Sequence, residues 1–280
     1  APESFDDNAR AFYSATREKF TALTERGAVG AVIVSTPQFE ARLPWARMQA
    51  AWDKPAMRLH DAEGIAIDGF PQLQGVAAVG VAAADTLLFK PGRPAAEVFD
   101  RARDGTGRAF ELDGEIIIEG ATRIEAIESH NVVGRLAGSD PALADEHVVH
   151  TAHLDHVGVI AMRDGDAIHS GAIDNALGVS ILLETARALL AAEQAPRRSQ
   201  LFVALTGEEQ GLLGAQHFVA NPTVPREGLV ANINIDMPVL LAPSTDAVVI
   251  GAEHSTLQAA VEAAAEAAGR KLRLELAPCF

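Results

Sequence analysis

The chain has 280 residues, 48% of them hydrophobic, with 23 basic against 38 acidic side chains and a formal net charge of −15. That length and apolar content suit one large or two medium domains, and an acidic excess without any basic run excludes nucleic acid and anionic membrane surfaces as natural partners. The single cysteine, Cys279, excludes an intrachain disulfide, and no apolar run reaches the roughly 18 residues of a membrane span.

Residues 7–26 place Ala9, Phe12, Ala15, Phe20 and Leu23 at helical spacing between charges and stop at Gly27, which predicts an amphipathic helix. Residues 28–35 (AVGAVIVS) read as a small β-branched strand, and 37–55 as loops in which Trp45 and Trp52 pack within a smaller domain. A strand at 76–81, a short helix at 83–88 and another helix at 95–103 follow. His60, the one histidine of this region, reads as a surface or packing residue. Composition shifts at Asp104-Gly105-Thr106-Gly107, which separates a smaller domain (1–114) from a larger one (115–280).

From residue 115 the chain alternates (EIIIEGATRIEAIES), the period of a strand, and 131–136 reads as a second strand before a turn at 138–141. Residues 146–152 form a central strand in which His147 and His150 are structural, and a polar turn is expected around 163–166. A long helix over 176–192 is broken by Pro196, and 200–206 (QLFVALT) is the near-continuous apolar run of a parallel strand buried on both faces. A short helix runs through Phe218, strands occupy 229–236 and 247–250, Ser255 caps a helix to 268, and 272–276 is a last strand. Strands alternating with helices predict an α/β fold, its mostly parallel or mixed sheet flanked by helices.

Acids and a histidine gather at the ends of these elements. His153 and Asp155 follow one strand, Glu208 and Glu209 another, Asp236 a third, and Asp174 stands at a helix entrance. In open α/β sheets ligands bind beyond the carboxyl ends of the strands, where all these groups fall. One imidazole with several carboxylates suits a borderline divalent ion, zinc first, with manganese or cobalt as substitutes. A carboxylate bridging two ions about 3.5–4 Å apart permits two-metal hydrolysis. Adjacent residues of an extended strand face opposite ways, so the double glutamate can give one side chain to a metal and keep the other for proton transfer.

The stretches HLDH (153–156), GAIDN (171–175), TGEEQGLLG (206–214) and NIDM (234–237) stand 21 residues apart from His153 to Asp174, 34 from Asp174 to Glu208 and 27 from Glu209 to Asp236. In order and spacing they resemble the four metal-site motifs of the M28 family of metallopeptidases, co-catalytic di-zinc aminopeptidases with a phosphorylase/hydrolase-like α/β fold. The resemblance covers roughly 115–280; the earlier part more weakly resembles the protease-associated (PA) α+β domain inserted in bacterial members. It implies two Zn2+ ions, with His153 and Asp236 on the first, Glu209 on the second and Asp174 bridging them. It further implies that Glu208 is the general base and that Asp155 orients the His153 imidazole. The implied activity is that of an exopeptidase acting on peptide or protein N-termini. Alternatives on the same scaffold are a carboxypeptidase, a glutaminyl-cyclase-like enzyme and a catalytically silent binding protein.

In the family the second metal takes a further histidine from a downstream Ser-Asp-His-like motif, and the sequence contains no such motif after Asp236. His254 reads as a cap or surface residue, and His156 and His169 as exposed loop histidines without a role. Leu177 replaces a smaller residue and is expected to narrow the pocket. These features, with a start at Ala1 instead of Met, read as a fragment of a longer protein. Export to the periplasm or beyond is what the resemblance implies for location; oligomeric state is left open.

Overall fold

Residues 5–50, 55–88, 94–159, 168–238 and 245–274 are described by a computed structural model, and the chain divides into two units, Ala1–Ile127 and Glu128–Phe280. Trp52 and the polar turn at 163–166 lie outside the described residues, as does the end of the strand expected at 272–276.

In the first unit the helix expected over 7–26 is two helices, α1 (Asp7–Ser14) and α2 (Thr16–Thr24), because Ala15 between them takes an extended ψ of 134°. Strand β1 (Gly30–Val34) follows. The segment expected to be loops instead holds two short helices, α3 (Pro37–Arg42) and α4 (Trp45–Gln49). Thr36 accepts a hydrogen bond from the Phe39 amide and Pro37 occupies the first helical position, a start signal strong enough for helices too short to show a period. The ring of Trp45 packs against Gly80 within this unit. Strand β2 (Gly75–Val79) pairs in parallel with β1, and α5 (Ala84–Leu88) and α6 (Ala95–Arg103) complete the regular elements. His60 is exposed, its Nδ1 2.7 Å from the Asp61 carbonyl.

The alternating stretch at 115–129 is not a strand. It runs without ladder partners among the described residues, and Ile124 is 87% exposed. Alternation fits a pleated surface, but a strand forms only where a neighbour supplies the hydrogen bonds.

The second unit carries β3 (Val132–Leu136), β4 (His147–His153), α7 (Leu177–Ala191), β5 (Ser199–Leu205), α8 (Leu213–Ala220) and β6 (Leu229–Asn234). Strands lie in the order β3-β5-β4-β6, with β3 antiparallel to β5 and β4 parallel to both neighbours, so the sheet is mixed. Helix α7 packs against β4 and β5, and Phe218 of α8 joins Val149, Leu201, Val203 and Leu205 in the core. Strand β5 is buried over nearly its whole length, as its apolar run requires. A second pair, β7 (Asp246–Val248) with β8 (Lys271–Arg273), is parallel and joined through α9 (Leu257–Ala267), whose start is held by Ser255 Oγ accepting from the Leu257 amide. His150 stacks on Phe202 and lies 2.8 Å from Gln200 Oε1, and His147 accepts from Arg135, so both serve structure. Among the described residues no helix is long and apolar enough to cross a membrane.

The carboxyl end of β5 is fastened by Asn131. Its Oδ1 accepts from the Thr206 amide at 3.1 Å and its Nδ2 donates to the Gly214 carbonyl at 2.8 Å, while Gly214 N–H donates to the Thr206 carbonyl at 2.9 Å. The loop that carries Glu208 and Glu209 is thereby closed at both ends. A Cβ on Gly214 would stand 2.2 Å from the Thr206 carbonyl oxygen and 2.5 Å from Asn131 Oδ1. Gly214→Ala should therefore lose about 1–3 kcal/mol in urea unfolding with unchanged m. Gly134→Ala, whose Cβ meets nothing within 4 Å, should be neutral or gain up to about 1 kcal/mol. Equal stability of the two variants would count against this packing.

Candidate metal centre

Strand β4 ends in His153, which pairs in register with Leu205 at the end of β5 and is 3% exposed. Three residues beyond Leu205 the chain reaches Glu208. The Ile235 amide donates to the Thr151 carbonyl at 2.9 Å, extending the β4–β6 ladder by one step and delivering Asp236 beside His153. Asp174 sits in an irregular turn, Ala172–Ala176, immediately before α7. Asn175, 1% exposed, accepts from the Gly178 amide at 3.1 Å and donates to the Ile235 carbonyl at 2.9 Å, so it ties the Asp174 turn to the segment leading into Asp236. The sequence-predicted residues thus converge at the carboxyl ends of the parallel strands.

His153 is engaged at both ring nitrogens. Its Nδ1 lies 3.0 Å from the backbone carbonyl of Asp155; a carbonyl only accepts, so Nδ1 carries the hydrogen and Nε2 is the nitrogen turned to the carboxylates. Nε2 faces Asp174 Oδ1 at 3.1 Å and Asp236 Oδ1 at 3.3 Å. The resemblance assigns the orienting of this ring to Asp155, and the contact with Nδ1 is made by the Asp155 backbone carbonyl, with the carboxylate farther off. That carboxylate is 3.8 Å from Nδ1 and instead accepts from the Glu208 amide at 3.1 Å and the Glu209 amide at 3.3 Å. An acid at this position has more to gain from two unpaired amides than from a ring already satisfied by a carbonyl.

Glu209 meets a residue to which sequence reasoning gives no role. His156 Nδ1 lies 2.6 Å from Glu209 Oε1 and 3.7 Å from Asp174 Oδ2. Two groups of three potential ligands result, His153–Asp174–Asp236 and His156–Asp174–Glu209, each with its donor atoms within 4.8 Å of one another. They share Asp174, one oxygen turned to each. Two donors about 2.0–2.1 Å from a tetrahedral zinc ion stand roughly 3.3 Å apart, and the separations around His153 match that value. A nitrogen with two carboxylate oxygens in each group is also the donor chemistry zinc takes. The only hint of His156 in the sequence is its place three residues after His153, which a solvated loop histidine shares. His254 is exposed beside Glu253 at 3.5 Å and belongs to neither group.

Glu208, His153 and Asp236 line one end of a cavity of about 540 Å³ whose walls include Val149, Phe218 and Leu229. Leu177, expected to narrow the pocket, stands at the start of α7 and is not part of this lining. Burial lowers the His153 pKa, but the Asp155 carbonyl and the charges of Asp236 and Glu208 outweigh it and leave the pKa raised. Burial raises the Glu208 carboxyl; His153 opposes that shift, and Asp236, Glu209 and Asp155 add to it.

Residues 131–278 match the model of Peptidase family M28. A probable zinc metalloprotease of Pyrenophora teres f. teres is 38% identical over 107 residues, which are 38% of this chain and 22% of the fungal protein. An aminopeptidase of Mus musculus is 31% identical over 137 residues, 47% of this chain and 16% of its own. The chain therefore spans less than a quarter of the length of either. Among solved structures, a peptidase M28 precursor from Shewanella amazonensis aligns over 52% of this chain and 30% of its own, with 27% identity and a TM-score of 0.39.

A carboxyl whose folded pKa is raised contributes stability at low pH that is lost as pH rises through that raised value. Ion-free Glu208→Gln should therefore melt on the order of a few degrees above the ion-free parent at neutral pH. The gap should close as pH falls below the ordinary glutamate range. Melting in chelator across that range reads this directly, and a gap independent of pH would refute it.

Proposed function

Because the chain belongs to peptidase family M28, we propose that it is the catalytic part of a zinc-dependent exopeptidase that releases residues from the amino ends of peptides. What supports this reading is one arrangement: two ligand groups joined through Asp174, with Glu208 beside them in the lining of an apolar cavity. His153, Asp174 and Asp236 would hold one zinc ion, and Asp174 with Glu209 would contribute to the second. When bound, zinc supplies a Lewis acid for the scissile carbonyl and lowers the pKa of water.

The chain's own residues do the rest. Glu208 takes the proton of the attacking water and returns it to the leaving amine; the hydroxyl ends on the acyl carbon and the proton on the nitrogen. Asp155 holds the amides of Glu208 and Glu209 and so fixes where both side chains start. Asn175 keeps Asp174 and Asp236 in step. The cavity wall of Val149, Leu205, Phe218 and Leu229 takes an apolar side chain from the terminal residue. Polarity follows from charge. Two Zn2+ ions would offset four of the five carboxylate charges of Asp155, Asp174, Glu208, Glu209 and Asp236, and the negative charge left over favours an α-ammonium group over an α-carboxylate.

The test is hydrolysis of leucyl-, lysyl-, glutamyl- and N-acetyl-leucyl-p-nitroanilide by the zinc-loaded protein. Leucyl substrate should lead the glutamyl one by about 10-fold or more in kcat/KM, and acetylation should abolish turnover. Glu208→Gln should lower kcat by roughly 10²–10⁴-fold at unchanged zinc content. Equal turnover of the acetylated substrate would overturn the aminopeptidase polarity, and undiminished kcat in Glu208→Gln would remove its role as base.

A further inference from the structure

The cavity beside the ligand groups is not apolar on every side: Thr151, Asn232 and Asn234 form part of its lining. We propose that Asn234, with Asn232 and Thr151, is the element that reads the terminal side chain, and that amino-terminal residues bearing a neutral carboxamide, glutamine or asparagine, are taken at least as well as leucine. The inference rests on the exopeptidase reading above for where the substrate lies.

The wall made by β4 and β6 changes character step by step. Side chains alternate between the faces of a strand, so Val149, Thr151 and His153 share one face with Asn232, Asn234 and Asp236, and all six line the cavity. Val149 stands opposite Asn232, and Thr151 opposite Asn234. The bond from the Ile235 amide to the Thr151 carbonyl carries the ladder onward, and His153 Nε2 then lies 3.3 Å from Asp236 Oδ1. The neutral polar pair Thr151–Asn234 is therefore one step below the pair that bears metal donors, two strand residues or roughly 6.6 Å along. A terminal residue whose scissile carbonyl is held at those donors extends its side chain along this step.

Hydrogen-bond arithmetic says what the step can recognise. Thr151 is 6% exposed, and its one hydroxyl hydrogen faces two acceptors, Asn234 Oδ1 at 2.7 Å and Asn232 Oδ1 at 3.4 Å. The nearer oxygen takes it. That fixes the Asn234 carboxamide with Oδ1 on Thr151 and leaves Asn232 Oδ1 able to accept. Neither Nδ2 donates to another described residue, and both asparagines are exposed. Amide donors and a carbonyl acceptor thus converge on one hydroxyl, and a carboxamide guest needs both kinds and returns both. A leucine side chain of similar size strips water from these groups and replaces none of its bonds. A glutamate side chain brings one more negative charge to a site already crowded with carboxylates.

The experiment compares glutaminyl-, asparaginyl- and leucyl-p-nitroanilide on the zinc-loaded parent, Asn234→Leu and Asn232→Leu, with calorimetry of L-glutamine and L-leucine binding beside it. In the parent the better carboxamide substrate should match or exceed the leucyl one in kcat/KM. Asn234→Leu should lower that carboxamide-to-leucyl ratio about 10-fold, and Asn232→Leu should lower it in the same direction. A loss of folded protein reduces both substrates alike and leaves the ratio unmoved. Calorimetry should show glutamine weakened relative to leucine in Asn234→Leu, without any chemical step. Leucyl turnover with a ratio far below one in the parent, or unmoved in both variants, would overturn the proposal and leave the exopeptidase reading standing. No turnover of any substrate, with glutamine binding that Asn234→Leu abolishes, would overturn the exopeptidase reading and keep the subsite. Neither turnover nor glutamine binding would overturn both.

Discussion

Five carboxyl groups crowd against two imidazoles at one end of the second unit, and their mutual repulsion is the constraint that the surrounding structure has to contain. Like charges at such range raise one another's pKa and destabilise the fold unless something compensates. Compensation comes from several sources. Asp155 accepts hydrogen bonds from two backbone amides. Asp174 and Asp236 face the one edge of His153, and Glu209 faces His156. Glu208 has no such partner, and burial with the charges of Asp236, Glu209 and Asp155 raises its pKa despite His153. A site of this kind is stabilised by divalent cations through mass action, because the native arrangement binds them and the unfolded chain does so less.

The sheet makes the crowding possible by separating its two ends. At the amino end of β5, Ser199 Oγ accepts from Arg135 and from the Gly138 amide and donates to the Ala144 carbonyl, a network that ties the strand to its neighbours. At the carboxyl end, the loop from Thr206 to Gly214 is stapled by Asn131, and the turn with Asp174 is stapled to the Asp236 segment by Asn175. Both asparagines satisfy backbone groups that no ladder reaches, which is how irregular chain can stay rigid at a functional site. Glu208, Glu209 and Asp174 are therefore carried on irregular chain that asparagine side chains fasten in place.

Much of this was legible in the sequence. The apolar run of β5, the helical period of α7 and the strand-end positions of His153, Glu208, Glu209 and Asp236 follow from local pattern, because side-chain periodicity and element ends are properties of neighbouring residues. The four motifs in order identified the family for the same reason: each is a short segment whose geometry is largely its own. Pattern failed where a partner decides. Residues 115–129 alternate like a strand yet have no ladder partner among the described residues, and residues 37–49 form two helices too short to leave a period, the first started by a threonine cap and a proline.

For the site, the sequence marked out which residues can supply nitrogen and carboxylate donors, since they stand in recognisable spacings along one chain. Tertiary structure decided how they are shared out. That Asp155 serves the Glu208 and Glu209 amides, that Asp174 divides its oxygens between two histidines, and that His156 reaches Glu209 across 53 residues of sequence all depend on loops from different strands meeting in space. Spacing within one segment carries no record of those distances, because they are fixed by the register of β4 between β5 and β6 and by the hydrogen bonds that fasten the loops beyond them.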